Sequence, residues 1–517
     1  MKGFSKALLI GAALGIMVLG TTGCMNQSES GSGDVLKVGT IGFASTLEPT
    51  ADYFSWVVVR YGIGETLVKF DDSMQVKPWL ATSWKQGDDK LTWTFNINDK
   101  VKFSNGNRLT AEAVKASLER TFKKSNRAKT FFNYTEITAK GQELTIKTDK
   151  PYYNLPNLLG DPLFLIIDVT AEEQGRDISK DGPIATGPYE VESFTKERAV
   201  LKRNENYWDG KAGFSRVEVP AINDANTRAM ALQSGDVDMA VNIGPGEYET
   251  FKNDKNFTVY ETASLRDLMV RMSQKGVLKS ANLRSALISA APREEYAKTL
   301  MKGTFTPGKA PLPPSVDYGF NQLRDPNAYN VECAKKLLAR DGYRDTNGDG
   351  IVDKDGENLV LTLYTYASRP ELPLYAEALQ ADYKKIGIDV QIKIMDYTVV
   401  DSIAQSGDYD MILSSIVTSN TGQPVWFLKQ YWGTGSENNG TGFSNARFDE
   451  LLALAESSDD PTVRRNAVIN AQQLMLDNSV ALFLAYPNIN VVGNNKIDGI
   501  AISPAEYYII TKDLKRK

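Results

Sequence analysis

Histidine, the side chain that most often supplies a general base near neutral pH and a nitrogen ligand to a metal, does not occur in these 517 residues. Without imidazole, no Ser-His-Asp or Cys-His arrangement can be assembled and no histidine zinc site can exist. A hydrolase or metalloenzyme would have to rely on carboxylates, and the chain has two thiols, Cys24 and Cys333. Cys333 lies at helical spacing in Val331-Glu332-Cys333-Ala334-Lys335-Lys336-Leu337-Leu338 and reads as a small packing residue. One acidic motif stands out. Asp345-Thr346-Asn347-Gly348-Asp349-Gly350-Ile351-Val352-Asp353 follows the first nine positions of an EF-hand loop, with glycine at the sixth. Its twelfth position is Gly356 where a bidentate Glu is needed, and Glu357 comes one residue late, so a plain Asx-rich turn is expected in place of a calcium site. Nothing singles out a carboxylate pair for acid–base work. A secreted carboxylate-dependent glycosidase is the enzyme reading left over, and the chain is expected not to be an enzyme.

Something must position whatever groups do act. At 42% hydrophobic and 24% charged the composition is that of a globular protein, and the length exceeds what one core fills. Two large lobes are expected. The net charge of −5 is spread without a basic stripe, which argues against nucleic acid as a partner. Lys2 and Lys6, then an apolar run from Ala7 to Gly20, then Thr21-Thr22-Gly23-Cys24 form a signal peptide over residues 1–23. Ending on Gly-Cys resembles a bacterial lipobox, in which Cys24 is acylated. Residues 24–35, polar and small, then form a flexible tether to a membrane. Further on, Val35 to Gly39, Leu91 to Ile97 and Leu144 to Thr148 alternate as strands, and Thr110 caps a helix. From Leu359 the order is strand, helix (about Leu372 to Ile386), strand (Val390 to Ile394) and a third strand from Asp410, the pattern of a parallel crossover. The first half looks antiparallel and the second α/β.

Five segments resemble the bacterial extracellular solute-binding proteins of family 5, which include oligopeptide-, dipeptide- and nickel-binding proteins of ABC importers. They are Trp79-Leu80-Ala81-Thr82-Ser83-Trp84; Ala185-Thr186-Gly187-Pro188-Tyr189 with Asn204-Glu205-Asn206-Tyr207-Trp208; Ala231-Leu232-Gln233-Ser234-Gly235-Asp236; Asn282-Leu283-Arg284-Ser285-Ala286-Leu287; and Gly442-Phe443-Ser444-Asn445-Ala446-Arg447-Phe448-Asp449. These read as turn and packing chemistry, so they speak for the fold and not for the ligand. The resemblance implies an α/β, periplasmic-binding-protein-like two-lobed clamp (type II, cluster C-like) with mixed sheets. Lobe one would span residues 36–270, with an extra subdomain at about 75–185, and be completed by 487–517; lobe two would span 271–486. It also implies permease and ATPase partners, an extracytoplasmic, membrane-anchored location and a monomeric body.

The stretches around Leu47 to Leu67, Ser264-Leu265-Arg266, Ser368-Arg369-Pro370 and Gly422-Gln423-Pro424-Val425-Trp426 look most like the nickel or metal-chelate branch of that family. Chemistry refines this. Ni²⁺ favours nitrogen ligands, and a chain without imidazole is expected to hold nickel only as a chelate brought by a carboxylate- or amino-acid-type ligand, with no metal site or cofactor of its own. Planar guanidinium groups suit such carboxylates. Arg60, Arg266 and Arg369 are therefore the expected anchors, and Tyr61, Trp93, Trp426 and Trp432 the stacking walls. Asp161 could instead meet a ligand ammonium, which would suit the rival cargo, a di- or oligopeptide. A signalling receptor domain for the same ligand is a third reading.

Overall fold

The computed structural model describes residues 34–42 and 44–517. The apolar start, Cys24 and most of the expected tether lie outside the described residues.

The strand Val35–Gly39 forms as its alternation predicts, burying Leu36 and Val38. It runs parallel to Arg216–Pro220 on one side and to Met239–Val241 on the other. The first half is therefore not purely antiparallel, because the chain makes a long excursion after Gly39 and returns in the same direction. Arg198–Arg203 and Tyr189–Phe194 extend this sheet as antiparallel strands. In the second half, Val360–Tyr366 pairs in parallel with Asp389–Met395 and Met411–Val417, with the helix Glu371–Lys384 as crossover. Met411–Val417 in turn lies antiparallel to Arg266–Met272.

The strand Ala481–Asn494 joins the two lobes. Its first part pairs with Arg266–Met272 and its second with Phe257–Ala263. Only Ser264 and Leu265 separate those two partners, so two neighbouring extended segments cross between the lobes.

The excursion after Gly39 carries a separate antiparallel sheet in the order Ala81–Gln86, Thr92–Ile97, Glu143–Thr148, Tyr134–Lys140. The helix Ala111–Lys124 belongs to the same hydrophobic cluster. Thr110 caps it, its hydroxyl accepting the Ala113 N–H at 3.2 Å. That cluster continues into the helices Val425–Trp432, Ala446–Ser457 and Pro461–Asp477.

Several motifs acquire a structural explanation. Gly187 donates its N–H to the Ile63 carbonyl, and a Cβ there would sit 2.3 Å from the Gly62 oxygen, so only glycine fits. Beside it, the fully buried Glu65 carboxylate accepts from Thr186 Oγ1 (2.8 Å), the Tyr207 hydroxyl (2.8 Å) and Trp208 Nε1 (3.0 Å). Burial strips its water and pushes Glu65 up to about 7 despite those three donors. Arg284 spends its guanidinium on the carbonyls of Leu278, Lys279, Asn478 and Ser479.

Cys333 is exposed and not packed, because Ala334 and Leu338, one turn apart, form the buried face of the helix Val331–Arg340 and Cys333 sits about 100° off that face. The loop at 345–353 consumes its own carboxylates: Asp345 accepts the N–H groups of Gly348 and Gly350, and Asp353 accepts from Thr346. Among the described residues no cluster of His, Cys, Asp or Glu could hold a metal ion, and no helix is long and apolar enough to cross a membrane.

Candidate functional site

The short helix Ser55–Arg60 buries five of its six residues and presents Trp56 and Arg60, one turn apart, to the same side. There Arg60 meets Arg266, from the strand that crosses between the lobes, and Arg369, from the turn after Val360–Tyr366. All three converge on Glu506, from the segment beyond Ala481–Asn494. Arg60 donates through Nε to the Glu506 backbone oxygen at 2.7 Å and through Nη2 to its carboxylate at 3.3 Å. Arg369 donates to the same carboxylate oxygen at 3.3 Å, and Arg266 Nε bonds the other. Burial alone would raise Glu506, yet the three guanidinium groups hold it far below the usual carboxylate range. Arg60, stripped of water and repelled by Arg266 and Arg369, drops to about 10.

These arginines line one end of a cavity of about 130 Å³ between the lobes. A fourth, Arg271, lines it too, with a bulge between Leu268 and Met269 intervening on its strand. The Arg271 guanidinium lies 5.7 Å from the centre of the Tyr431 ring. Asp401, from the helix Tyr397–Ser406, is the acid on the lining; burial raises its carboxyl even though Arg271 pulls it down. Four arginines thus face two carboxylates, those of Asp401 and Glu506, and the site is net positive.

The walls are aromatic. Trp56 meets Tyr53 and Tyr507 edge-on, Tyr366 and Tyr397 form a T-shaped pair at 5.2 Å, and Trp426 stacks on Phe131 at 4.6 Å with its indole N–H donated to Thr130. Between them, Trp56 Nε1, Arg271 Nε, the hydroxyls of Ser414 and Ser415, and Asn420 Oδ1 are buried without a hydrogen-bond partner among the described residues. Unpaired buried polar atoms cost about 1–3 kcal/mol each, and these five are open to bonding by a polar solute in the cavity. No nucleophile–base pair is present on this lining.

Of the expected residues, Arg60, Arg266, Arg369 and Trp426 come together here. Tyr61 lines a smaller cavity of about 30 Å³ beyond the arginine cluster, its hydroxyl pushed up to about 12 by burial. Trp93 lies in the core of the antiparallel sheet, donating to the Tyr152 carbonyl at 3.1 Å. Trp432 is fully buried against Phe483. Asp161 is fully buried behind the wall, where it caps Leu163, accepts from Asn420 at 2.6 Å and sits 3.8 Å from Arg127; a ligand in the cavity meets Asn420 first. Sequence reasoning did not anticipate Glu506, Arg271, Trp56, Tyr53 or Asp401. One signal was available: Arg266, Asp267 and Arg271 are three charges in seven residues of a strand that is buried throughout.

Residues 75–439 match the family model described as bacterial extracellular solute-binding proteins, family 5, middle. The chain belongs to this family. The nickel-binding protein NikA of Staphylococcus aureus is 29% identical over 95% of this chain and 96% of its own. Its crystal structure in complex with Ni(L-His)2 superposes with a TM-score of 0.84, at 27% identity, over 94% of this chain and 100% of that one. A nickel ABC transporter structure from Bacillus halodurans gives 0.70 at 30% identity, over 93% and 99%. The oligopeptide-binding protein AppA of Bacillus subtilis is 26% identical over 98% of this chain and 97% of its own. Family 5 proteins capture solutes for the permease and ATPase of ABC importers outside the cytoplasm, and this chain has their two-lobed α/β fold.

Proposed function

We propose that this chain captures nickel, or another metal, as a small carboxylate-bearing chelate between its lobes and delivers it to an ABC importer, without catalysing a reaction. The observation that carries this is the cavity itself. Lying between the lobes, it suits a small solute. Its excess of guanidinium over carboxylate calls for anionic oxygen, and its lining offers no imidazole, so the metal comes with its own donors. Ni(L-His)2 on S. aureus NikA is a solute of this kind.

Arg271, Trp56, Ser414, Ser415 and Asn420 are the groups we assign to direct contact, with Trp426 as a wall. Arg60, Arg266 and Arg369 supply field and shape, since Glu506 already occupies much of their hydrogen-bonding capacity. We assign lobe one to residues 36–270 with 487–517 and lobe two to 271–486, the subdomain at about 75–185 included in lobe one; the strand crossing near Pro487 supports the later bound, and the crossing at Ser264 and Leu265 moves the earlier one to the start of the strand Arg266–Met272. The protein acts as a monomer tethered to a membrane through an acylated Cys24. Calorimetric titration with free Ni²⁺, Ni²⁺ plus L-histidine, and a dipeptide mixture tests the cargo. Heat from the chelate alone is expected; heat from the peptides alone overturns the reading in favour of a peptide importer.

A further inference from the structure

A second cavity of about 40 Å³ adjoins the first and shares Ile41, Ser368 and Arg369 with it. Its lining sets two acids, Glu261 and Glu371, against two arginines, Arg228 and Arg369. Glu371, first residue of the helix Glu371–Lys384, is 6% exposed and lines this space. Its carboxylate has no hydrogen bond and no ion pair among the described residues. The two arginines nearby are engaged elsewhere: Arg369 bonds Glu506, and Arg228 donates to the backbone carbonyls of Ile222, Val241 and Asn242. The other acid on the lining, Glu261, is likewise engaged, accepting from the Tyr248 hydroxyl and from Asn488. Two more polar side chains line the same space without a hydrogen-bond partner among the described residues: the Ser368 hydroxyl and the side-chain amide of Asn242, which stands at φ 55°.

Glu371 feels the charge of Arg369 and Arg228 but bonds neither, so its acceptor sites stay open, and a carboxylate, a hydroxyl and an amide oxygen match the three donors of an ammonium group. We infer that this side cavity is a subsite for a cationic arm, an ammonium on a short methylene chain, of a solute whose carboxylate-bearing head fills the main cavity. Glu371 supplies the charge, and Ser368 and Asn242 supply the remaining acceptors. The space admits one such arm and little more. Of the two lobes' contributions, Asn242 comes from the sheet of Val35–Gly39 and Glu371 from the crossover helix of the other sheet, so the arm is gripped from both sides. This rests on the small-solute reading above and gives that solute a second, basic end.

The test compares ligands matched in shape and differing in one charge. Ni²⁺ is titrated calorimetrically in the presence of L-lysine or of L-norleucine, and in parallel the dipeptides Ala-Lys and Ala-norleucine are titrated without metal. The lysine member of whichever pair binds is expected to bind about tenfold tighter or more, the range for a hydrogen bond to a charged group. In Glu371→Gln the two members of that pair should fall within about twofold of each other. If the peptides bind and the chelates do not, the nickel reading fails while the subsite stands on the peptide pair. Equal affinities within the binding pair in the unaltered protein, a lysine preference that survives Glu371→Gln, or no binding by either pair overturns the subsite.

Discussion

Glu506→Gln removes the one carboxylate that three buried guanidinium groups share, at nearly constant shape. Groups sharing a carboxylate lie roughly 6 Å apart, and at an effective dielectric of about 20 each like-charged pair then costs about 3 kcal/mol. Water entry and small shifts relieve part of this, which leaves about 3–5 kcal/mol, the range for breaking a buried pair. With an unfolding entropy on the order of 1 kcal/mol/K for a body of this size, Tm should fall by about 3–5 °C at pH 7. The folded carboxyl of Glu506 is held below its ordinary 4.5. Its stabilisation is therefore complete above about pH 4.5 and is lost as pH falls toward the folded pKa. The gap between the two proteins should accordingly narrow by about 2 kcal/mol between pH 7 and pH 3. The same change makes the site more positive, so an anionic chelate should bind the variant more tightly while the fold weakens. Scanning calorimetry at the two pH values and a chelate titration measure all of this. A Tm unchanged at pH 7, or a gap that does not vary with pH, would refute the claim that Glu506 neutralises the arginine cluster.

Three further outcomes are expected. Arg271→Gln should weaken binding of the nickel–histidine chelate by about 1.5–3 kcal/mol, tenfold or more, in calorimetric titration, and a loss of Tm at unchanged affinity would mean Arg271 is structural only. Glu65, raised from 4.5 to about 7 by burial, contributes stability that is fully present below about pH 4.5 and lost as pH rises through about 7. Glu65→Gln should thus gain on the unaltered protein by up to about 3 kcal/mol between pH 5 and pH 8 in thermal melts; parallel melting curves would contradict it. Cys24→Ala should release the protein from membrane fractions, and continued retention with no acyl mass on the mature N-terminus would remove the lipid anchor from the picture.

The sequence by itself determined the local elements and the class of protein. Alternation in Thr92–Ile97 and Val360–Tyr366 and the cap at Thr110 report short-range sterics and hydrogen bonding, and those need no knowledge of distant partners. The absence of histidine likewise limits chemistry whatever the fold. Composition could not say that Val35–Gly39 is parallel to both neighbours, because its partners lie about 180 and 200 residues further on. The site was legible only in part. Arg60, Arg266 and Arg369 are far apart in the chain, and that they meet is a tertiary fact. Glu506 lies in a tail of Ile, Ala and Tyr, and its role exists only because folding brings that tail back between the lobes. Trp93 and Trp432 look no different in sequence from Trp56 and Trp426; which indole faces a solute and which fills a core depends on what packs behind it. Periodicity reports which face of an element is buried, and only the packing of elements decides whether that face meets protein or ligand.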